Sequence, residues 1–313
     1  MAFDRLRRLG LLWFVLLGWP LIAGNDYVLS LGTAFFINVL LVAGLNLVTG
    51  FGGQISLCQA GFFGLGAYVS GVLTARFGWP PMAGMAAALV LVPASALAIG
   101  LPALRLRGNY LAMATLGFNA ILSVLFTELV SLTGGPNGLA GIPPMKLGPL
   151  MLDSPGRFFY LAWVVAGAAM LLAALFLASR AGRALQAVAA SETAATAMGI
   201  NPFTSKLYAF MLSAALAGVA GSLYAHFNQY ASPETFSFSA SVLIVVMVAL
   251  GGWANYWGPI LGAALFTAVP ELLHAFQDAE LLVFGLGMIV VLLFMPGGLA
   301  GLSLRRKHAG GRS

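Results

Sequence analysis

Apolar runs of roughly 20 residues recur along most of this chain, and that is the length an α-helix needs to cross the hydrocarbon core of a bilayer. PMAGMAAALVLVPASALAIGL, residues 81–101, carries no charge and does not alternate with a period of two. A transmembrane β-barrel would alternate in segments of about ten residues, so that architecture is set aside. A water-soluble fold is excluded on similar grounds: 8% of the 313 residues are charged, where a soluble domain carries roughly 25%. What remains is an all-α polytopic membrane protein.

Apolar segments at 9–24, 28–49, 57–77, 80–101, 110–132, 158–178, 207–230, 240–257, 259–275 and 280–295 predict ten transmembrane helices. If the N-terminus is cytoplasmic, twelve of the fifteen basic residues fall inside: Arg5, Arg7, Arg8, Arg105, Arg107, Arg180, Arg183, Lys206, Arg305, Arg306, Lys307 and Arg312. Arg76, Lys146 and Arg157 fall outside. This positive-inside bias sets both termini in the cytoplasm and accounts for the net charge of +6 without nucleic acid. MAFDRLRR and the apolar run after it resemble a signal peptide, but no small-residue cleavage pattern follows, so a retained first helix is expected. The single cysteine, Cys58, excludes an internal disulfide and reads as a small packing residue.

Two apolar stretches are interrupted by glycine. In GFGGQISLCQAGFFGLGAY, residues 50–68, the polypeptide around Gly52 to Ser56 is expected to be broken or re-entrant. ALGGWANYWGPILGAAL, residues 249–265, is a comparable turn in the second half of the chain, and the pair hints at an internal repeat.

Several chemistries are missing. No lysine follows a glycine, so a GxxxxGK[ST] phosphate-binding loop is excluded, and neither HExxH nor GxSxG occurs. Ion-coupled carriers place titratable groups near the midplane of the membrane. Here Glu128, Glu271, His226 and His274 all fall in the outer parts of their predicted spans, as interfacial or packing residues. A proton-coupled site built on Glu271 and His274, one helical turn apart, is the sharper alternative. Ala214, Gly218 and Ser222 recur every fourth position, a spacing that lets helix backbones approach within the bundle.

One sizeable polar segment, SRAGRALQAVAASETAATAMGINPFTSK, residues 179–206, stands between apolar runs on the inner side. Its alanine-rich composition predicts a helix over 183–198, with Leu185, Val188, Ala195 and Met198 near one side and a stop at Gly199 to Pro202. Composition leaves two uses open: a helix lying in the headgroup layer, or a docking element for a soluble partner.

GRALQAVAASETAATAMGINPFTSKLYAFMLSAALAGVAGSLYA resembles the cytoplasmic loop and following helix of the permeases of high-affinity branched-chain amino acid ABC importers, the LivM type. GLNLVTGFGGQISLCQAGFFGLGAY, LRLRGNYLAMATLGFNAIL, TGGPNGLAGIP, SPETFSFSASVLIVVMVALGG and WGPILGAALFTAVPELL agree with that family in order, over residues 44–301. The resemblance implies one permease domain over 1–313, with a cytoplasmic N-terminus at 1–8, a periplasmic loop at 133–157, a coupling loop at 179–206 and a basic tail at 303–313. It implies two ATPase subunits, a homologous second permease of LivH type, a periplasmic substrate-binding protein and a bacterial inner membrane. The chain itself would bind no cofactor and catalyse no reaction, ATP and magnesium belonging to the ATPases.

By the same resemblance Ser191, Glu192, Ala195, Met198, Gly199 and Asn201 would contact an ATPase, and Gly134, Gly135, Pro136, Asn137 and Gly138 would face the binding protein. Uncharged polar groups suited to pass a zwitterion are Asn46, Gln54, Ser56, Gln59, Thr115 and Asn119. The chain departs from the family pattern in having AVAAS before Glu192 and asparagine at 109, where relatives tend to carry charge. Leucine, isoleucine and valine are the implied substrates; an ion-coupled carrier for a small polar solute is the rival reading.

Overall fold

The computed structural model describes residue 13 and residues 25–106, 108–147 and 150–273. Within them α1 runs over Asp26–Asn46 and ends in a turn of π-helix, Leu47–Phe51. It is followed by α2 (Gln59–Ala75), α3 (Pro81–Ala103), α4 (Asn109–Glu128) and α5 (Pro155–Ala178). Next come α6 (Arg180–Ala190), α7 (Glu192–Ala197), α8 (Pro202–Asn228), α9 (Phe238–Gly251) and α10 (Gly258–Leu273). Pro81, Pro155 and Pro202 each open a helix, where the missing N–H would have had no partner.

Each apolar segment from 28–49 to 259–275 contains one of these helices; those at 9–24 and 280–295 lie outside the described residues, apart from Trp13. The indole of Trp13 donates to the Trp163 carbonyl at 3.2 Å, and the indole of Trp163 donates back to the Trp13 carbonyl at 3.0 Å. Among the described residues five helical stretches, not eight, are long and apolar enough to cross a membrane: 26–51, 81–103, 109–128, 155–178 and 202–228. The difference has a local cause. Glycine-containing breaks at 52–58 and 252–257 shorten α2 and α9, and α10 is described only as far as Leu273.

α8 forms the centre of the bundle, packed on α1, α2 and α3, while α1 also carries α5 and α10. Small residues in α8 permit this crowding. A Cβ on Gly66 of α2 would lie 2.2 Å from the Gly218 carbonyl oxygen, so the two backbones meet with nothing between them. α3, α4 and α5 keep most of their apolar surface outward, as helices facing lipid or another subunit would.

With 27 residues, α8 is roughly 40 Å long. Lys206 near its start pairs with Glu192 of α7. Just past its end, Tyr230–Ala231 (β2) pairs antiparallel with Leu139–Ala140 (β1), matching Leu139 to Ala231. The polar segment and the 134–145 loop therefore occupy opposite ends of the bundle.

The loop is anchored from within. Ile142 and Met145 are buried, and the Tyr230 hydroxyl donates to the Asn137 carbonyl at 2.7 Å. His226, in the last turn of α8, is enclosed. Its Nδ1 lies 2.7 Å from the Pro143 carbonyl, which only accepts, so Nδ1 carries a proton. Its Nε2 lies 2.9 Å from Ser70 Oγ, which accepts from Ser222 Oγ at 2.8 Å. The histidine thus ties the loop to α2 and α8.

Candidate functional site

The polar segment is built by three caps. Ser179 Oγ accepts from the Gly182 N–H at 3.2 Å, Ser191 Oγ from that of Ala194 at 3.3 Å, and Asn201 Oδ1 from that of Phe203 at 3.0 Å. Each satisfies an N–H that a helix leaves free in its first turn. The middle cap corrects the single helix expected over 183–198: Ser191 is extended (φ −162°, ψ 113°), and α6 and α7 are separate. The stop at Gly199 is a Schellman turn. Gly199, at φ +80°, donates to the Thr196 carbonyl at 2.9 Å and Ile200 to that of Ala195 at 3.0 Å.

Leu185, Val188 and Ala195 face the bundle and are buried. Enclosing a leucine such as Leu185 stabilises the docking of α6 by about 1.5–3 kcal/mol. Met198 does not share that side: it is 83% exposed on the turn, because Ser191 resets the helical phase and the residue caps α7 rather than continuing α6. Glu192 is engaged within the chain by Lys206. Arg105 and Leu104, at the end of α3, join Glu192, Asn201, Pro202, Phe203 and Lys206 around a cavity of about 410 Å³.

The other component is the chain from 52 to 58, which carries no helical structure between the π-turn and α2. Irregular backbone is tolerated at membrane depth only where protein satisfies it. Here the Leu57 N–H donates to Thr115 Oγ1 at 3.0 Å and the Ala60 N–H to Ser241 Oγ at 3.1 Å. The second glycine turn lies beside the first. Asn46 Nδ2 donates to the Asn255 carbonyl at 2.9 Å, its Oδ1 accepts from the Ala254 N–H at 3.2 Å, and Phe51 packs on Tyr256.

All six candidate path residues are buried, but they divide by partner. Asn46 is spent on the second turn. Gln59 donates to the Leu41 carbonyl at 3.1 Å and accepts from Ser213 Oγ at 3.0 Å. Thr115 serves Leu57, and Ser56 Oγ lies 3.3 Å from Cys58 Sγ. Three enclosed side-chain atoms among the described residues have no partner: Gln54 Nε2, Gln54 Oε1 and Asn119 Oδ1. Leaving such a group unpaired costs about 1–3 kcal/mol, so these are the positions where a polar guest gains most.

At the opposite end Gly135–Asn137 form a 3₁₀ turn that presents Pro136 and Asn137 outward; Gly135 is buried and its N–H donates to Thr133 Oγ1 at 3.1 Å. Glu271 accepts from the Tyr27 hydroxyl at 2.6 Å, on an exposed rim between α1 and α10. Its expected neighbour His274 lies outside the described residues. The role of Asn46 was hidden in the sequence because its partners are over 200 positions away, and nothing in the pattern marked Tyr27 or Ser70.

Apolar helices crowded around a central one rich in small residues, with a capped polar segment at one end and a pinned loop at the other, define a multi-pass membrane protein. Residues 27–292 match the family described as branched-chain amino acid transport system / permease component, and the chain belongs to that family. The high-affinity branched-chain amino acid transport system permease protein LivM of Escherichia coli K12 is 34% identical over 90% of this chain and 71% of its own. LivM of Salmonella typhimurium LT2 is 33% identical over 91% and 72%. The permease protein LivH of E. coli K12 is 28% identical over 87% and 92%. No solved structure matches.

Proposed function

We propose that this chain is a LivM-type transmembrane permease subunit of an ABC importer that carries leucine, isoleucine and valine across a bacterial inner membrane. The observation that carries the reading is the similarity to LivM across nine-tenths of the chain. In this reading two ATPase subunits bind ATP and magnesium and do the hydrolysis, a homologous LivH-type permease completes the pore, and a periplasmic binding protein delivers substrate. The permease itself makes and breaks no covalent bond.

Orientation follows from charge. Arg105, Arg180, Arg183 and Lys206 cluster at the end of the bundle that carries α6 and α7, and basic residues mark the cytoplasmic side. Ser191, Glu192, Ala195, Met198, Gly199 and Asn201 then form the ATPase-facing element, with exposed Met198 as its projecting apolar knob. Because Glu192 is held by Lys206, docking rests on the shape of α7 and its turn more than on that charge. Pro136 and Asn137 face the binding protein. Gln54 and Asn119 are the path residues best supported, since the Gln54 amide and the Asn119 Oδ1 are enclosed and unpaired and offer a zwitterion hydrogen bonds without a fixed charge to trap it.

The test is reconstitution of the chain with its co-purifying subunits in proteoliposomes. Uptake of labelled leucine that requires binding protein outside and ATP inside, and persists when ion gradients are collapsed, is the expected result. Uptake by the isolated chain that follows an ion gradient and ignores ATP would refute it in favour of a secondary carrier.

A further inference from the structure

The polar segment and the broken turn touch directly. A Cβ on Gly52 would lie 3.3 Å from Leu185 Cδ1, and one on Gly53 would lie 3.5 Å from the Cβ of Ala189. Leu185 is fully enclosed, so the turn rests on the anchored face of α6. Glycine is required at 52, where a Cβ would meet the Val48 carbonyl oxygen at 2.5 Å; at 53 the φ of +63° favours glycine, but a Cβ there meets nothing closer than 3.5 Å. The next residue is Gln54, with its unpaired amide. The same turn holds the second glycine turn through Asn46, whose Oδ1 would lie 2.0 Å from a Cβ on Gly50.

We infer that Gly52 and Gly53, seated on Leu185 and Ala189, are positioning residues that pass displacement of α6 to Gln54, so that turn and polar segment travel as one body during transport. This rests on the importer reading above. Close-packed contacts are not continuously deformable, so a shift of α6 larger than the slack at Leu185 carries the turn with it. The competing arrangement is slip, in which α6 slides under the turn and force leaves through its junctions with α5 and α7.

A cross-link and a truncation separate the two. Gly53→Cys with Ala189→Cys places two Cβ atoms at the 3.5 Å approach noted above, inside the disulfide range of about 3.5–4.5 Å; native Cys58 is buried. Leucine uptake and phosphate release are measured together on the reconstituted complex, and only preparations with the full subunit complement are compared. The expected result is that the oxidised pair transports at the rate of its reduced form. Leu185→Ala, by loosening the seat, lowers leucine moved per ATP by about fivefold or more, the range of ordinary coupling between sites; Leu185→Met restores it. Arrest of uptake on oxidation with recovery on reduction would overturn the inference. So would Leu185→Ala lowering uptake and hydrolysis in equal proportion, as a purely structural defect does. Lack of ATP-dependent uptake by the unmodified complex would instead overturn the importer reading on which the inference stands.

Discussion

Removing Glu192 is expected to damage the protein more than removing its partner Lys206, because the two side chains are unequally covered. Only 8% of the Lys206 side chain reaches solvent, against 31% of Glu192. With Lys206→Met the carboxylate is left able to turn to water while the methionine keeps the apolar stem in place, a loss of about 1 kcal/mol or less. With Glu192→Ala the ammonium is left enclosed and unpaired. Breaking a fully buried pair costs about 3–5 kcal/mol, and the partial exposure of Glu192 brings the expectation down to about 2–3 kcal/mol. The double variant removes the stranded charge and should resemble Lys206→Met, giving a coupling of about 2–3 kcal/mol, the full cost of Glu192→Ala. The assay is the rate at which a protease of broad specificity cuts residues 191–201 in detergent, a process gated by local opening. At tenfold per 1.4 kcal/mol, Glu192→Ala should speed cutting by about 30- to 150-fold and Lys206→Met by about fivefold at most. Equal rates for the two single variants, or a double variant that is simply additive, would refute the argument.

Gln54→Met should raise the thermal midpoint while lowering leucine uptake, since it removes two unpaired polar atoms worth about 1–3 kcal/mol each; a fall in both would show that the amide is structural. Gly66→Ala should cost about 1–3 kcal/mol or more, because the new methyl group meets the Gly218 backbone, and the loss is read as a lower midpoint in detergent. His226→Phe should release the 141–145 loop by taking away the bonds to Pro143 and Ser70, about 1 kcal/mol each, and faster backbone hydrogen exchange confined to that loop is its signature. Asn46→Ala should loosen the 252–257 turn by a comparable amount while leaving α1 helical, visible as exchange at Ala254.

The long helices were legible because they are written as uninterrupted apolar runs: α1, α3, α5 and α8 begin and end within a few residues of the expected segments. Proline at a helix start and glycine at a helix stop, as at Pro202 and Gly199, also read directly. Ser191 did not, because the alanine-rich run from 183 to 198 reads as one helix and the break depends on a hydroxyl choosing the backbone of the next turn over its own. That choice turned Met198 outward. The site was legible as a set of polar residues but not as a division among them. Whether an amide at 46, 54 or 59 is spent or spare depends on which distant carbonyl the fold brings to it, and no local pattern encodes the approach of Asn255 to Asn46 or of Ser213 to Gln59.

In the importer proposed above, the contact between Gly66 and Gly218 would let α8 serve as a lever as well as a core. The contact falls about 24 Å from the start of the helix and about 15 Å from its end at 1.5 Å per residue, and it is a meeting of bare backbones about which a rod can rock. Lys206 loads the long arm with α7; His226 and β2 load the short arm with the 134–145 loop. A rock of about 5° moves the loaded ends by about 2 Å and 1.3 Å in opposite directions on arms of this length. In that importer the end of α8 that carries α7 and the end that carries the 134–145 loop would therefore move in opposite senses, in the ratio of the two arms.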